Sequence, residues 1–381
     1  MTIMDAPTEG GLSRRGFLGL LAAGAGIGVA AGYGISQGFG TSNSTAVDLS
    51  RKTVYLTNSY GDVYALHAST GAVRWARPLN TSDVLVGNSR LYADSYDGYM
   101  YALDAGTGQI DWTHRIGSRG NVGAVTGLVS LYPSVSGDIV YIAASDGYTY
   151  ALNAATGHLQ WRHQTTGYSS QSPVVYRGIV YVGSPDAYVY ALDAKSGRFR
   201  WRFGEGGQAY TGLLVVAQNM VFAEGAAHLY ALDPRSGKVR GIYPPALPSS
   251  NGIVYTGTAT GSLQARDILR SRILWTYQAK NVQWLPATIA GNTLYIGANN
   301  LGSCCAGSSA ASGAAVALDA ATGKSIWIYT APEPISTAPV ITDGIVYVLG
   351  QWNLYALDAE TGEGRWIYTT SRGIGSTVAV G

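Results

Sequence analysis

Cysteine is almost missing from this chain: 381 residues hold two, Cys304 and Cys305, side by side in the Gly/Ser/Ala-rich stretch NNLGSCCAGSSAASG (299–313). No CxxCH haem-attachment sequence and no paired CxxC zinc sequence occurs, HExxH and phosphate-loop patterns are absent as well, and no GxSxG falls within residues 51–381. Five scattered histidines nominate no hydrolase triad. Charge is scarce, at 13% of residues with a net of +2, which excludes the global basic field behind nonspecific nucleic-acid binding. In their place stand 51 Gly, 27 Tyr and 9 Trp. Little charge with many Tyr, Trp and Gly points to short strands and tight turns rather than helices.

The first residues form a separate object. LSRRGFLGLLAAGAGIGVAAGYGI resembles a twin-arginine export signal through Ser13, Arg14, Arg15, Phe17 and Leu18, with Gly19 where a Lys usually follows. The apolar run to about Ile35 is short and Gly-rich, more like a signal segment than a stable span. No A-x-A cleavage site follows and no Cys is there for lipidation, so both a cleaved signal and a retained membrane tether stay open. Residues 1–37 are therefore read as signal or anchor, 38–50 as a Ser/Thr/Asn linker, and 51–381 as the folded unit. The expected location is outside the cytoplasm, where a disulfide can persist.

The folded unit is repetitive. YALDAGTGQIDW (101–112) recurs as YALHASTGAVRW (64–75), YALNAATGHLQW (150–161), YALDAKSGRFRW (190–201), VALDAATGKSIW (316–327) and YALDAETGEGRW (355–366). Two copies are weaker: YALDPRSGKVRG (230–241) has Gly241 for the Trp, and QARDILRSRILW (264–275) lacks the Gly. Eight copies at about forty residues predict an all-β, eight-bladed propeller of four-stranded antiparallel blades. In each, strands A, B and C are short alternating runs, DAxTG is the C–D hairpin with its Gly at positive φ, and strand D follows. The repeat residues Trp75, Trp112, Trp161, Trp201, Trp275, Trp327 and Trp366 are too regular for catalysis and read as wedges between blades. The C-terminal GIGSTVAVG (373–381) aligns with strand A, so it is expected to complete blade 1 and close the ring; STAV (44–47) is a competitor for that slot.

The pattern A-x-D-x-x-T-G-x-x-x-W, met fully by Ala102, Asp104, Thr107, Gly108 and Trp112, resembles the pyrroloquinoline-quinone (PQQ)-like propeller repeat over residues 52 to the end. That repeat occurs in quinoprotein alcohol dehydrogenases and in the non-enzymatic propeller lipoprotein of the bacterial outer-membrane β-barrel assembly machinery. The missing lipidation Cys and the twin-arginine pattern argue against the second role specifically. The enzymes imply PQQ, a Ca²⁺ ion, a catalytic Asp, a Trp under the quinone and, in several, a disulfide between adjacent cysteines above it. Against that stand minimal blades and few carboxylates, while a hard cation needs several oxygen ligands.

Strands alternate direction, so A–B and C–D turns share one face while B–C and D–A loops share the other. The irregular insertions, 116–134 and the Cys304–Cys305 loop of blade 7, fall on the B–C/D–A side, which is therefore the expected functional face. Its D–A segments hold seven cations (Arg77, Arg115, Arg119, Arg162, Arg202, Lys280, Arg372) against three acids (Asp83, Glu205, Glu333), with His114 and His163 beside them. Trp284, in the approach to blade 7, and Trp352, in the B–C turn of blade 8, either pack a joint or offer a stacking surface. Arg115, Arg119 and Arg372 join them as candidate ligand contacts. Adjacent Cα atoms lie about 3.8 Å apart, below the usual disulfide separation, so a Cys304–Cys305 disulfide would be a strained, loop-stiffening turn; free thiols, intermolecular pairing and metal binding are the other readings. The leading expectation is an exported scaffold without cofactor or metal, binding a protein or an anionic ligand and no nucleic acid. A PQQ- and Ca²⁺-dependent alcohol or sugar dehydrogenase is the alternative.

Overall fold

The computed structural model describes residues 52–381 except 82, 96, 117–131, 145, 166–171, 185, 187, 205–213, 226–227, 244–252, 259, 268–269, 271 and 301–311. The cysteine pair, the Arg14–Arg15 signal, STAV, Arg119 and Glu205 all lie outside the described residues.

Among the described residues there are thirty-one strands and no helix, arranged as eight antiparallel sheets. Seven sheets have four strands; blade 6 shows three, Ile253–Gly257, Leu263–Asp267 and Arg272–Tyr277. Blade 4 displays the module as expected: A is Val174–Tyr176, B Ile179–Ser184, C Tyr188–Asp193 and D Phe199–Gly204. Closure also follows the expectation. The last strand, Ile374–Val380, pairs antiparallel with Thr53–Asn58, placing Val380 opposite Val54 and Val378 opposite Leu56. Blade 1 is thus built from both ends of the described chain.

The hairpin sequence explains the blade-to-blade joints. In the blade 2 hairpin the Asp104 carboxylate accepts from the Thr107 N–H and hydroxyl, each at 2.8 Å, while its carbonyl accepts from the Gly108 N–H. These hydrogen bonds hold the Asp104 carboxyl below its ordinary pKa. Gly108 has φ +70, and a Cβ there would come 2.7 Å from the Trp75 ring of blade 1. Glycine is required both for the backbone and for the ring lying on it. The Trp75 indole N–H then donates to the Ala105 carbonyl of the same hairpin. The pattern recurs: Trp112 reaches Ala154, Trp161 Ala194, Trp201 Pro234, Trp275 Ala320, Trp327 Ala359 and Trp366 Ala68. Each Trp also stands opposite the Ala of strand C, as Trp161 does Ala151, where a small side chain leaves room for the indole.

The core is therefore divided. Eight apolar clusters lie one at each joint, every one drawing on two neighbouring blades. The joint between blades 5 and 6 is the exception in construction. Blade 5 has Gly241 for Trp, and Phe222 where Tyr181 of blade 4 donates to the next hairpin. Blade 6 correspondingly lacks the hairpin glycine. Tyr243 fills the space against Phe222, ring centroids 6.4 Å apart, and Val254 is the fully buried blade 6 residue in that cluster.

Candidate loop-face site

On the B–C/D–A face, three successive blades each set a strand D arginine over the tyrosine that opens strand C, from directly across the ladder in blade 2 and diagonally, two residues nearer the hairpin, in blades 3 and 4. In blade 2, strand C opens with Tyr99 and strand D ends with Arg115, paired directly across the ladder. The Arg115 guanidinium sits over the Tyr99 ring at 5.9 Å. Blade 3 places Arg162 over Tyr148 at 5.0 Å, and blade 4 places Arg202 over Tyr188 at 4.4 Å. Beneath each pair a B–C turn aspartate accepts from a second tyrosine: Asp97 from Tyr101, Asp146 from Tyr150 and Asp186 from Tyr190. Burial, then the Asp97 hydrogen bond and charge, push the Tyr101 phenol up to about 12, so it stays protonated as a donor. Blade 1 extends the row differently, with Arg372 over the exposed Tyr60 at 5.1 Å and 3.7 Å from Asp62. All four arginines are exposed. A cleft of about 510 Å³ adjoins Arg202, lined by Gln164, Tyr190 and Phe199. The row was readable in the sequence as D-x-Y-x-Y at 97–101, 146–150 and 186–190, a second repeat overlooked beside the stronger DAxTG phrase.

Other expected site residues are placed differently. Trp284 lies within strand A of blade 7, Val282–Ala290, rather than in the approach to it, because this strand runs nine residues. Its indole N–H donates to the Gly261 carbonyl at 2.7 Å, and the ring stands edge-on to Tyr277 at 83°. It packs the joint between blades 6 and 7. Trp352 does occupy the B–C turn of blade 8 and is 44% exposed. His114 and His163 turn into joints, hydrogen-bonding the backbone of Gly157 and Gly197, and burial lowers both imidazole pKa values.

Two of the face's acids are turned inward. Asp83 is buried and its carboxylate accepts from the Val84 N–H. Glu333, 8% exposed, accepts from the Trp352 and Asn353 N–H groups, the Asn353 amide and the Tyr355 hydroxyl, at 2.7–3.1 Å. It substitutes from the D–A loop for the B–C turn aspartate of blades 2–4. A Glu333→Ala variant leaves four donors without their acceptor, the buried Tyr355 hydroxyl among them, and is expected to cost about 3 kcal/mol. The urea midpoint should fall at constant slope, with Glu333→Gln intermediate; unchanged midpoints would show the turn is held by other contacts. Trp284 is fixed edge-on, Asp83 and Glu333 already hold backbone donors, and no three Asp, Glu, His or Cys side chains converge among the described residues.

Residues 29–132, 118–252 and 259–380 match the family model described as outer membrane protein assembly factor BamB. The chain belongs to this family. Among solved structures, BamB from Moraxella catarrhalis shares 18% identity over 87% of this chain and 97% of that one, with a TM-score of 0.57. A computationally designed protein, Ika8, matches at 17% identity over 86% and 95%, TM-score 0.61. A quinohemoprotein alcohol dehydrogenase from Pseudomonas putida HK5 matches at 15% over 84% and 65%, TM-score 0.45. No curated protein sequence matches the chain. The family membership agrees with the PQQ-like repeat, and the likenesses to the Moraxella catarrhalis BamB and Ika8 structures concern the fold alone.

Proposed function

We propose that the protein is an exported propeller scaffold that docks a protein partner on its B–C/D–A face, centred on blades 1–4. The observation that carries this reading is the row of exposed arginines lying over tyrosines in four adjacent blades. Tyr and Arg dominate the energetics of protein interfaces, because both present large, stiff surface with polar edges. Stacking fixes each guanidinium before contact, so less side-chain entropy is lost on binding. The family description supports a partner class, a subunit of outer-membrane protein assembly. It weighs against the argument from the missing lipidation Cys, since the twin-arginine segment at Arg14–Arg15 supplies another route out of the cytoplasm and another tether. Arg115 and Arg372 stand as contact residues; Arg119, Trp352 and the Cys304–Cys305 loop belong to the same face by sequence.

The experiment places a photo-crosslinking residue at Tyr99 or Tyr148 in cells, with Lys195 on the opposite face as control. One defined partner should be captured from the loop face only. Arg162→Glu with Arg202→Glu should weaken its capture at least about tenfold, as expected when two central interface charges are reversed. Equal capture from both faces, or capture indifferent to the double reversal, would overturn the reading.

A further inference from the structure

The opposite face, made of A–B turns and DAxTG hairpins, carries a cluster of charge on blades 4 and 5. Blades 4 and 5 present Arg177, Lys195, Arg198, Arg200, Arg235, Lys238 and Arg240 there against Asp193 and Asp233. Seven cations against two carboxylates leave an excess of five, where the whole chain nets +2. Blade 8, across the ring from blade 4, presents Asp343, Asp358, Glu360 and Glu363 with Arg365 on the same face. The face is therefore polarised, and its field steers anions toward blades 4 and 5.

At the centre of the positive half is a cleft of about 570 Å³ between the two blades, lined by Arg177, Arg200, Asn219, Asp233 and Arg235 among others. Its carboxylate is already engaged. Asp233 holds Arg240 at 2.8 Å and the Ser236 N–H and hydroxyl at 3.0 and 2.9 Å, and these contacts keep it ionised. Arg200 is matched by Asp193 at 2.6 Å. Among the described residues, two guanidinium groups of the cleft remain without a carboxylate. Arg177 donates to the neutral Asn219 side chain at 2.7 Å and lies over the Tyr176 ring at 5.0 Å, which orients it. Arg235, on the next hairpin, has no ion-pair partner among the described residues and is exposed.

We propose that this cleft binds a phosphate group, with Arg177 and Arg235 closing on its oxygens from neighbouring blades. Planar guanidinium forks match tetrahedral oxyanions through paired N–H donors, which a lysine cannot reproduce. A multiply charged phosphate neutralises the excess that Asp193 and Asp233 leave uncompensated. The group can belong to a soluble phosphate compound or to a phospholipid headgroup, and the chemistry of recognition is shared. The site lies on the face opposite the proposed docking surface and does not depend on it.

The test is calorimetric titration of the full-length protein with inorganic pyrophosphate at low salt, beside sedimentation with phosphatidylglycerol or phosphatidylcholine vesicles. Saturable one-site binding is expected, weakened about tenfold or more by Arg177→Ala and by Arg235→Ala, and unchanged by Lys324→Ala in the distant blade 7 hairpin. Arg235→Lys should fall between. Affinity should drop as salt rises, because the contacts are exposed and screened. Pyrophosphate binding without vesicle binding assigns a soluble ligand. Sedimentation with phosphatidylglycerol alone, lost in both alanine variants, assigns a headgroup. No binding in either arm overturns the proposal, as does binding that both variants retain. Thermal midpoints of the variants equal to the parent exclude unfolding as the cause of any loss.

Discussion

Deletion of residues 374–381 is expected to remove about 5 kcal/mol of stability and to make the chain self-associate. The magnitude follows from what the last strand covers. Val378 is buried in the joint between blades 8 and 1, with Ile374 and Val380 packed at its edge, and each buried aliphatic side chain contributes about 1.5–3 kcal/mol. The loss rivals the net stability of a typical domain, about 5–15 kcal/mol. The backbone consequence is separate. Thr53–Asn58 pairs with this strand on one side, and the Thr53 and Gly381 backbones exchange hydrogen bonds at 2.9 and 3.0 Å. Without it, blade 1 presents an apolar edge ready to pair with another molecule. Urea denaturation and light scattering measure the two effects. Val378→Ser, which keeps the ladder, should cost about 1–2 kcal/mol without self-association. A truncated chain with an unchanged midpoint and no scattering would mean the ring is closed by other contacts.

Trp161→Ala should cost about 3–5 kcal/mol, as large-to-small changes of buried aromatics do. The indole covers Gly197 of the next blade and donates at 3.0 Å to the Ala194 carbonyl, which also accepts from the Tyr141 hydroxyl, so its removal leaves a void and takes one of two donors from that carbonyl. The reciprocal change, Gly197→Ala, should cost at least about 2 kcal/mol. Its backbone is at φ +69, and the new Cβ would lie 2.6 Å from the same ring. The joint between blades 5 and 6 has neither partner, which gives the latch a built-in control. Hydrogen exchange should be faster in Val239–Tyr243 and Ile253–Gly257 than in Phe199–Gly204, whose Trp201 is latched. A Trp161→Ala variant losing under about 1 kcal/mol, or a blade 5–6 joint among the slowest to exchange, would show that strand pairing rather than the Trp–Gly contact holds the blades.

The candidate site was legible only in part. The D-x-Y-x-Y phrases and the D-strand arginines stand in the sequence, yet their meeting depends on the C–D register, which sets Tyr99 opposite Arg115. Counting charges along the loops gave the face an excess, but it could not say that Glu333 and Asp83 point inward or that His114 and His163 fill joints. For Glu333 and the two histidines the orientations follow from hydrogen bonds to residues about twenty to forty apart in sequence. The hairpin turns are stereotyped, so no single one of them marks its face for binding. The charge of that face emerged once neighbouring hairpins were placed side by side, where individually unremarkable residues such as Arg177 and Arg235 share one cleft.

The sequence by itself determined the blade count, the strand order within each blade, the hairpin chemistry and the closing strand. These are local or periodic properties: alternation of apolar residues, a turn that needs Asp and Gly at fixed offsets, and a last copy lacking strand B. Even the weak joint is written as two coincident losses, Gly241 for Trp and the missing hairpin glycine of blade 6. Only the tertiary structure decided which side chains are spent on the fold and which remain for a partner. Trp284 became a joint residue because strand A of blade 7 extends to meet Tyr277, and Glu333 became a turn cap because its loop folds under blade 8. A side chain's availability depends on what the adjacent blade offers it, and that pairing is fixed by ring geometry rather than by any neighbour in sequence.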